Sequence, residues 1–188
     1  GKFPYILYLG TIEPRKNLTT LINAFEDLKK TDKIPHKLII AGEIGWHSEK
    51  ILKKIKRNKD IILTGFLSEK EKANYYKNAE IFIYPSLYEG FGLPPLEAMS
   101  YGIPVICSNG GSLKEIFKNH ALLFAPNDEK TLKKHILTLL KNKKLRKNLI
   151  TAGKKYSKIF TWQKTGIRHC VPARSRSIRR GRDPARIS

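Results

Sequence analysis

Cysteine is scarce in this sequence, which holds two in 188 residues, Cys107 and Cys170. Two cysteines cannot supply the disulfide framework of a small secreted domain, and they indicate a reducing compartment. No apolar run approaches the ~20 residues that a membrane-spanning helix needs, and no signal peptide is recognisable at the N-terminus. These absences predict a globular cytoplasmic protein and leave a peripheral membrane contact open.

Metal-binding spacings and a hydrolase triad are also missing. The five histidines are scattered without the spacing of a zinc site, so no metal is expected. Ser108 and Ser112 have no histidine and carboxylate partners that the sequence identifies. The single methionine is Met99, so Gly1 is not a natural start and we expect a piece of a longer protein.

Acidic residues are few, 16 against 37 basic residues, which gives a net charge of +21. Most basic residues of 1–166 are lysines, whereas residues 167–188 hold seven Arg, no Lys and one acid. That last stretch lacks apolar periodicity, so the sequence predicts a folded domain over 1–165 and a disordered basic tail over 166–188. The tail is open to three interpretations: an artefact of cloning or of a shifted reading frame, a nucleic-acid-binding arm, or a native tail with another role.

Short apolar runs alternate with amphipathic segments along the domain. This alternation predicts a doubly wound α/β fold, with a mostly parallel, Rossmann-like sheet covered by helices on both faces. Strands are expected at residues 5–9, 38–41, 61–63, 81–84, 105–107 and 122–124. Helices are expected at residues 18–28, around 51–55, 68–78, 94–101, 113–117, 129–141 and 145–156, the third opened by a capping box of Ser68 and Glu71.

Ligands of such sheets bind outside the carboxyl ends of the strands. The segments that follow the strands are rich in glycine, polar and charged residues, and they are 10–16, 42–46, 65–68, 85–94 and 108–112. The most informative is residues 89–97, E-G-F-G-L-P-P-L-E, which joins a buried strand to a helix. Gly90 and Gly92 let backbone N–H groups face a ligand, and the helix N-terminus favours anions. From the residues alone, a glycine-rich turn with two solvated acids is equally open.

The sequence resembles the family 4 retaining glycosyltransferases, two-domain enzymes of the GT-B architecture, over roughly residues 3–165. It is similar to their C-terminal, nucleotide-sugar-binding half, and residues 89–97 match the Glu-(seven residues)-Glu motif of the family. The other matching stretches are L-G-T at 9–11, P-R-K-N-L at 14–18, I-A-G at 40–42, T-G-F-L at 64–67, G-I-P-V at 102–105 and F-T-W at 160–162. Several such stretches in the family order make a chance match improbable.

The resemblance implies roles for the glutamate motif. Glu97 would hold the nucleotide ribose, and Glu89 would lie beside the donor sugar as a catalytic residue. The residues between them would offer backbone N–H groups to the sugar and phosphates, and they are Gly90, Phe91, Gly92 and Leu93.

The resemblance also implies a phosphate site and a nucleobase site. Lys16 would bind the diphosphate beside Gly10. The arginine that often follows this glycine in the family is Thr11 here, which leaves open whether Arg15 supplies that charge. Fixed positive charge would stabilise the leaving diphosphate without a metal. Backbone groups of Phe66 and Leu67 would contact the nucleobase.

The leading hypothesis is therefore a donor-binding domain that uses a GDP- or UDP-sugar, with mannose as the expected hexose and a glycan or lipid-linked acceptor. Two alternatives remain: a basic nucleic-acid-binding module, and a sugar-nucleotide epimerase or phosphorylase of similar architecture. Lysine runs such as 133–134 and 143–144 predict solvated helix faces or attraction to an anionic membrane. Because the family's active site lies between two domains, we expect this chain to lack its N-terminal partner domain and to be inactive alone.

Overall fold

A computed structural model describes residues 3–160 of the chain. Its centre is a six-stranded, fully parallel sheet with the order β3-β2-β1-β4-β5-β6. The strands are β1 (Tyr5–Leu9), β2 (Lys37–Ala41), β3 (Ile61–Gly65), β4 (Ile81–Tyr84), β5 (Val105–Ser108) and β6 (Leu122–Phe124). The predicted doubly wound α/β fold is confirmed, and every predicted strand is present.

Seven α-helices flank the sheet. They are α1 (Leu18–Asp27), α2 (Glu49–Arg57), α3 (Glu69–Asn78), α4 (Leu93–Ser100), α5 (Leu113–Phe117), α6 (Glu129–Lys141) and α7 (Lys143–Ser157). Helix α1 packs against α2 and α6, and α4 packs against α7. The four residues of β4 and of β5 are all buried, as expected for central strands that helices cover on both faces. The core therefore runs along both sides of the sheet.

The helix boundaries differ from the predicted ones by a few residues, for local reasons. The predicted helix 18–28 ends as an α-helix at Asp27 and continues as one wide turn over Leu28–Asp32. The predicted capping box is confirmed, because the Glu71 carboxylate accepts a hydrogen bond from the Ser68 N–H at 2.8 Å while the Ser68 hydroxyl accepts from the Glu71 N–H. The predicted tail, residues 166–188, lies outside the described residues.

Strand order places the site. The chain runs outward from β1 to β3, then returns to β4 on the other side of β1. Strands β1 and β4 are therefore neighbours whose following loops diverge, and the crevice between such loops is where doubly wound sheets bind ligands. The loops after β1 and β4 contain residues 10–17 and 85–92, which carry most of the predicted site.

Candidate functional site

Backbone hydrogen bonds join the loops at the carboxyl edge of the sheet into one surface. The Gly10 N–H donates to the Ala41 carbonyl, and the Gly42 N–H donates to the Gly65 carbonyl, each at 2.9 Å. The Leu87 N–H donates to the Arg15 carbonyl, also at 2.9 Å. The loops after β1, β2, β3 and β4 are thus fixed relative to one another without help from a ligand.

Local conformation aims Lys16 at the loop after β4. Pro14–Lys16 forms a single 3-10 turn, which Asn17 ends in the left-handed region with φ 53°. The Asn17 side-chain amide donates to the Pro85 carbonyl at 3.2 Å. Asparagine tolerates the left-handed region better than most residues, so the turn and the reach across to β4 depend on the same side chain.

Three of the predicted site residues form one ion-pair cluster. The Lys16 Nζ lies 2.5 Å from Oε1 of Glu89, and the Arg15 Nη1 lies 3.0 Å from the same oxygen. Lys16 also donates to the Tyr84 hydroxyl at 3.1 Å, and Arg15 pairs with Glu13 at 2.8 Å. The Lys16 and Glu89 side chains are only 10% and 13% exposed, so water screens their attraction weakly.

The protonation behaviour of Glu89 follows from this cluster. Burial acts to raise the pKa of the carboxyl, but the hydrogen bond and charge of Lys16, with the charge of Arg15, outweigh it and hold the pKa below its ordinary value. Burial also raises the pKa of Tyr84, and the negative charge of Glu89 adds to that effect. Glu89 is therefore ionised at neutral pH and Tyr84 is neutral, which lets the tyrosine accept from Lys16 while its own proton stays in place.

The glycine loop after Glu89 leaves space on one side and is packed on the other. A Cβ added at Gly90 would meet no atom within 4 Å, so its backbone is open to a ligand. Behind the loop, a Cβ added at Gly111 would lie 2.6 Å from the Glu89 carbonyl oxygen, which also accepts from the Ser112 N–H at 3.1 Å. The backbone at residues 111–112 thus supports the loop from below. Its close approach serves protein packing.

Helix α4 begins directly after this loop. Gly92 precedes it with φ 86°, and a Cβ there would lie 2.7 Å from Leu113, which explains the need for glycine. Leu93, the first helical residue, is 43% exposed, whereas the Phe91 ring packs edge-on against Phe160 at 5.6 Å. The free N–H groups of the first turn therefore open beside Gly90 and favour an anion there.

Glu97 belongs to a second polar group, apart from the cluster around Glu89. It is the fifth residue of α4, and its Oε2 accepts a hydrogen bond from the Tyr76 hydroxyl at 3.1 Å. Burial raises the pKa of Glu97, and the Tyr76 hydrogen bond only partly opposes the effect. The carboxylate keeps accepting capacity for hydroxyl groups. The two glutamates of the motif thus have opposite pKa shifts and different partners.

The remaining predicted residues lie at the same edge without joining either group. Thr11 is exposed, and its carbonyl accepts from the Tyr8 hydroxyl at 2.9 Å. Phe66 is 71% exposed, whereas Leu67 points its side chain into the core at 7% exposure. Only backbone groups of Leu67 can therefore face a ligand. Within residues 3–160, no cluster of three or more histidines, cysteines and acids is arranged to hold a metal ion.

Sequence reasoning assigned no role to two residues of the cluster, Glu13 and Tyr84. Glu13 stood inside the quoted E-P-R-K-N stretch, and its pairing with Arg15 two residues on was a foreseeable signal. Tyr84 is the last residue of β4 and lies 68 residues from Lys16. Nothing local in the sequence indicates that contact, because it exists only once β1 and β4 are neighbours.

Known proteins share this fold and these loops. The family model described as glycosyl transferases group 1 matches residues 1–156. The O-antigen chain mannosyltransferase B of Escherichia coli is 38% identical over 162 residues, which cover 85% of this chain and 42% of that protein. The serotype-specific mannosyltransferase WbdA of Escherichia coli is 32% identical over 166 residues, or 86% of this chain and 20% of that protein.

A solved structure agrees with these matches. The C-terminal domain of a glycosyl transferase group 1 family protein from Francisella tularensis aligns with a TM-score of 0.72 and 25% identity, over 84% of this chain and 87% of that one. The chain spans less than half the length of the two mannosyltransferases it matches. The expected family and the expected GT-B C-terminal fold are confirmed: this chain belongs to the group 1 glycosyl transferases.

Proposed function

We propose that this chain is the donor-binding domain of a retaining glycosyltransferase and that it holds a nucleoside-diphosphate sugar at the carboxyl edge of its sheet. The observation that carries the proposal is the convergence of Lys16 and Arg15 on Glu89, next to the N-terminus of α4. Two cations and a helix N-terminus around an open glycine backbone make a site for a diphosphate.

The proposed binding step is an exchange of partners. The diphosphate takes hydrogen bonds from Lys16 and Arg15 that Glu89 now accepts, and the released carboxylate turns to hydroxyl groups of the donor sugar. Glu97 accepts from the ribose. During transfer, the bond between the anomeric carbon and the diphosphate breaks, and the two cations stabilise the negative charge of the departing diphosphate. No step in this scheme requires a metal, so nucleotide affinity should be the same with and without EDTA.

The whole reaction lies beyond this chain. Its curated relatives are more than twice as long, so acceptor binding and transfer are proposed for an enzyme that includes a further, N-terminal domain. The similarity to two mannosyltransferases supports mannose as the hexose and a polysaccharide precursor as the acceptor. Neither a nucleic-acid-binding module nor an epimerase or phosphorylase gains support from the cluster around Glu89 or from the relatives.

Calorimetric titration with GDP, UDP and ADP tests the donor site. We expect at least one of them to bind, and we expect Lys16→Ala to weaken that nucleotide by tenfold or more, roughly the effect of losing one charge-assisted hydrogen bond. Lys77→Ala is the matched control, because Lys77 is exposed near the end of α3, at the opposite edge of the sheet. If none of the three nucleotides binds at millimolar concentration, the donor site is refuted.

A peripheral contact with an anionic membrane in the cytoplasm is also proposed. None of the helices in the described part of the chain is long and apolar enough to span a bilayer. Helices α6 and α7 instead present exposed lysines where they meet, which are Lys134, Lys141, Lys143 and Lys144. Cosedimentation with vesicles tests the contact: binding to vesicles rich in phosphatidylserine but not to pure phosphatidylcholine supports it, and no binding to either contradicts it.

A further inference from the structure

Large exposed apolar side chains concentrate at the carboxyl edge of the sheet. Trp46 is the most exposed of them at 84%, and Phe66 follows at 71%. Trp46 lies in the loop after β2, and Phe66 lies directly after β3. An exposed tryptophan on a globular surface often marks a binding site, because its large apolar face is costly to leave in water.

The loop that carries Trp46 is held against the loop of the ion-pair cluster. The Ile12 N–H donates to the Glu43 carbonyl at 2.8 Å, and the Gly45 N–H donates back to the Ile12 carbonyl at 2.9 Å. A Cβ added at Gly45 would lie 2.8 Å from the Thr11 side chain and 3.3 Å from Cβ of Glu13. Glu13 in turn pairs with Arg15. Trp46 is therefore displayed on a fixed base, close to the proposed phosphate site.

A cavity of about 380 Å³ opens beside this tryptophan, and its lining has a specific combination of chemical groups. The indole of Trp46 and the aliphatic side chain of Ile44 offer an apolar wall. The ring of His47 offers an N–H donor, and the carboxylate of Glu49 offers two acceptors. Glu49 is exposed and has no ion-pair partner among residues 3–160. A flat aromatic ligand with neighbouring donors on one edge would satisfy all of these groups.

We propose that this cavity binds the nucleobase of the donor and that Trp46 and Glu49 select guanine. The inference rests on the donor site proposed above and adds the identity of the base. The guanine ring stacks on Trp46, its N1–H and N2–H₂ donate to the two Glu49 oxygens, and His47 donates to O6 or N7. Each exposed group of the cavity then has a partner.

The same lining disfavours the other common bases. Adenine presents an acceptor at N1 beside its N6–H₂ donor, so one Glu49 oxygen would face a lone pair. Uracil has its single N3–H donor between two carbonyl oxygens, and a carboxylate would again face a lone pair. A polar site that is left unpaired by the wrong ligand discriminates far more strongly than an apolar pocket does. Trp46 gives affinity for any base, and Glu49 gives the choice among bases.

The test is a panel of titrations with GDP, IDP, ADP and UDP on the full 188-residue chain. IDP keeps the N1–H of GDP and lacks the N2 amine, so we expect the order GDP, IDP, then ADP and UDP. Glu49→Gln should weaken GDP by roughly tenfold and leave ADP and UDP unchanged, as loss of a charge-assisted pair predicts. Trp46→Ala should weaken every nucleotide by roughly tenfold, and Trp46→Phe should restore most of the loss.

The controls separate this inference from the donor site itself. Glu115→Gln removes an equally exposed acid from α5 and should change nothing. In a Trp162→Phe background Trp46 is the only tryptophan, and saturable quenching of its emission by GDP reports stacking directly. Binding that is lost in Lys16→Ala but unchanged in Trp46→Ala and Glu49→Gln, or an equal affinity for GDP and UDP, would overturn the guanine assignment and keep the donor site. No binding of any nucleotide by the wild type would overturn both.

Discussion

The Nζ atom of Lys16 lies 2.5 Å from Oε1 of Glu89, across 73 residues of sequence, and this contact closes the crevice between β1 and β4. It brings the cation proposed to hold the diphosphate into a pair with the carboxylate proposed to contact the sugar. The same oxygen also receives Arg15. In the absence of a donor, Glu89 therefore occupies both cations, and most of the expected behaviour of the site follows from that.

Glu89→Gln should bind GDP severalfold more tightly than the wild type does. The amide keeps the shape of the carboxylate but no longer competes with the diphosphate for Lys16 and Arg15. The gain should be smaller for GDP-mannose, because the sugar loses a charged acceptor. Calorimetry on both ligands measures the two effects, and weaker GDP binding by this variant would mean that Glu89 assists the diphosphate instead of competing with it.

Lys16→Met should destabilise the fold by about 1–3 kcal/mol, because it leaves a half-buried carboxylate with Arg15 as its only cation. The double variant Lys16→Met with Glu89→Gln should recover part of that loss, since neither charge then remains. Urea unfolding of the two single variants and the double variant gives the coupling energy directly. A coupling energy of zero would contradict a structural role for the pair.

Glu97 should make the fold less stable as the pH rises. Because burial raises the pKa of Glu97 above its ordinary 4.5, the folded state holds this proton more tightly than the unfolded state does. The resulting stability is complete below about pH 4.5 and is lost as the pH rises through the raised pKa of the folded state. Glu97→Gln, which can still pair with Tyr76, should therefore exceed the wild type in stability at pH 7 and match it near pH 4. Chemical unfolding at the two pH values makes the comparison, and a constant difference would contradict the raised pKa.

Glycine substitutions should separate packing from ligand binding. Gly111→Ala places a methyl group 2.6 Å from the Glu89 carbonyl at φ 59°, so we expect a loss of about 1–3 kcal/mol of stability. Gly90→Ala puts the same methyl group into open space and should leave the melting temperature within a few degrees of the wild type. It should nevertheless weaken nucleotide-sugar binding, because the methyl group occupies the ligand's side of the loop. Equal melting temperatures for the two variants would contradict the packing described for residue 111.

The fold was predictable from sequence because its signals are local. The apolar runs at 5–9 and 81–84 and the capping box at Ser68 name their own secondary structure. The wide turn over Leu28–Asp32 was not predictable, since the same residues suit an ordinary helix end. Its form depends on packing: Lys133 of α6 pairs with Asp27 and Asp32 at either end of the turn.

The candidate site was predictable in part, for a related reason. The residue types in 14–16 and 89–97 indicated a phosphate and sugar site, and family resemblance supplied their roles. The competition for Glu89 was not visible, because it depends on the register that sets Arg15 beside Leu87 and on the reach of Asn17 to Pro85. Trp46 and Glu49 also lacked a local signal, since a tryptophan in a loop is exposed or buried according to the tertiary fold.

The balance of charges in the cluster has a kinetic consequence. Glu13 and Glu89 cancel Arg15 and Lys16, so the empty cluster is close to neutral and exerts little pull on a distant anion. The attraction that brings a donor to the protein must come from the many surface lysines, whose field is long-ranged and weakens with salt. Rising ionic strength should therefore slow the arrival of the nucleotide sugar far more than it hastens its departure.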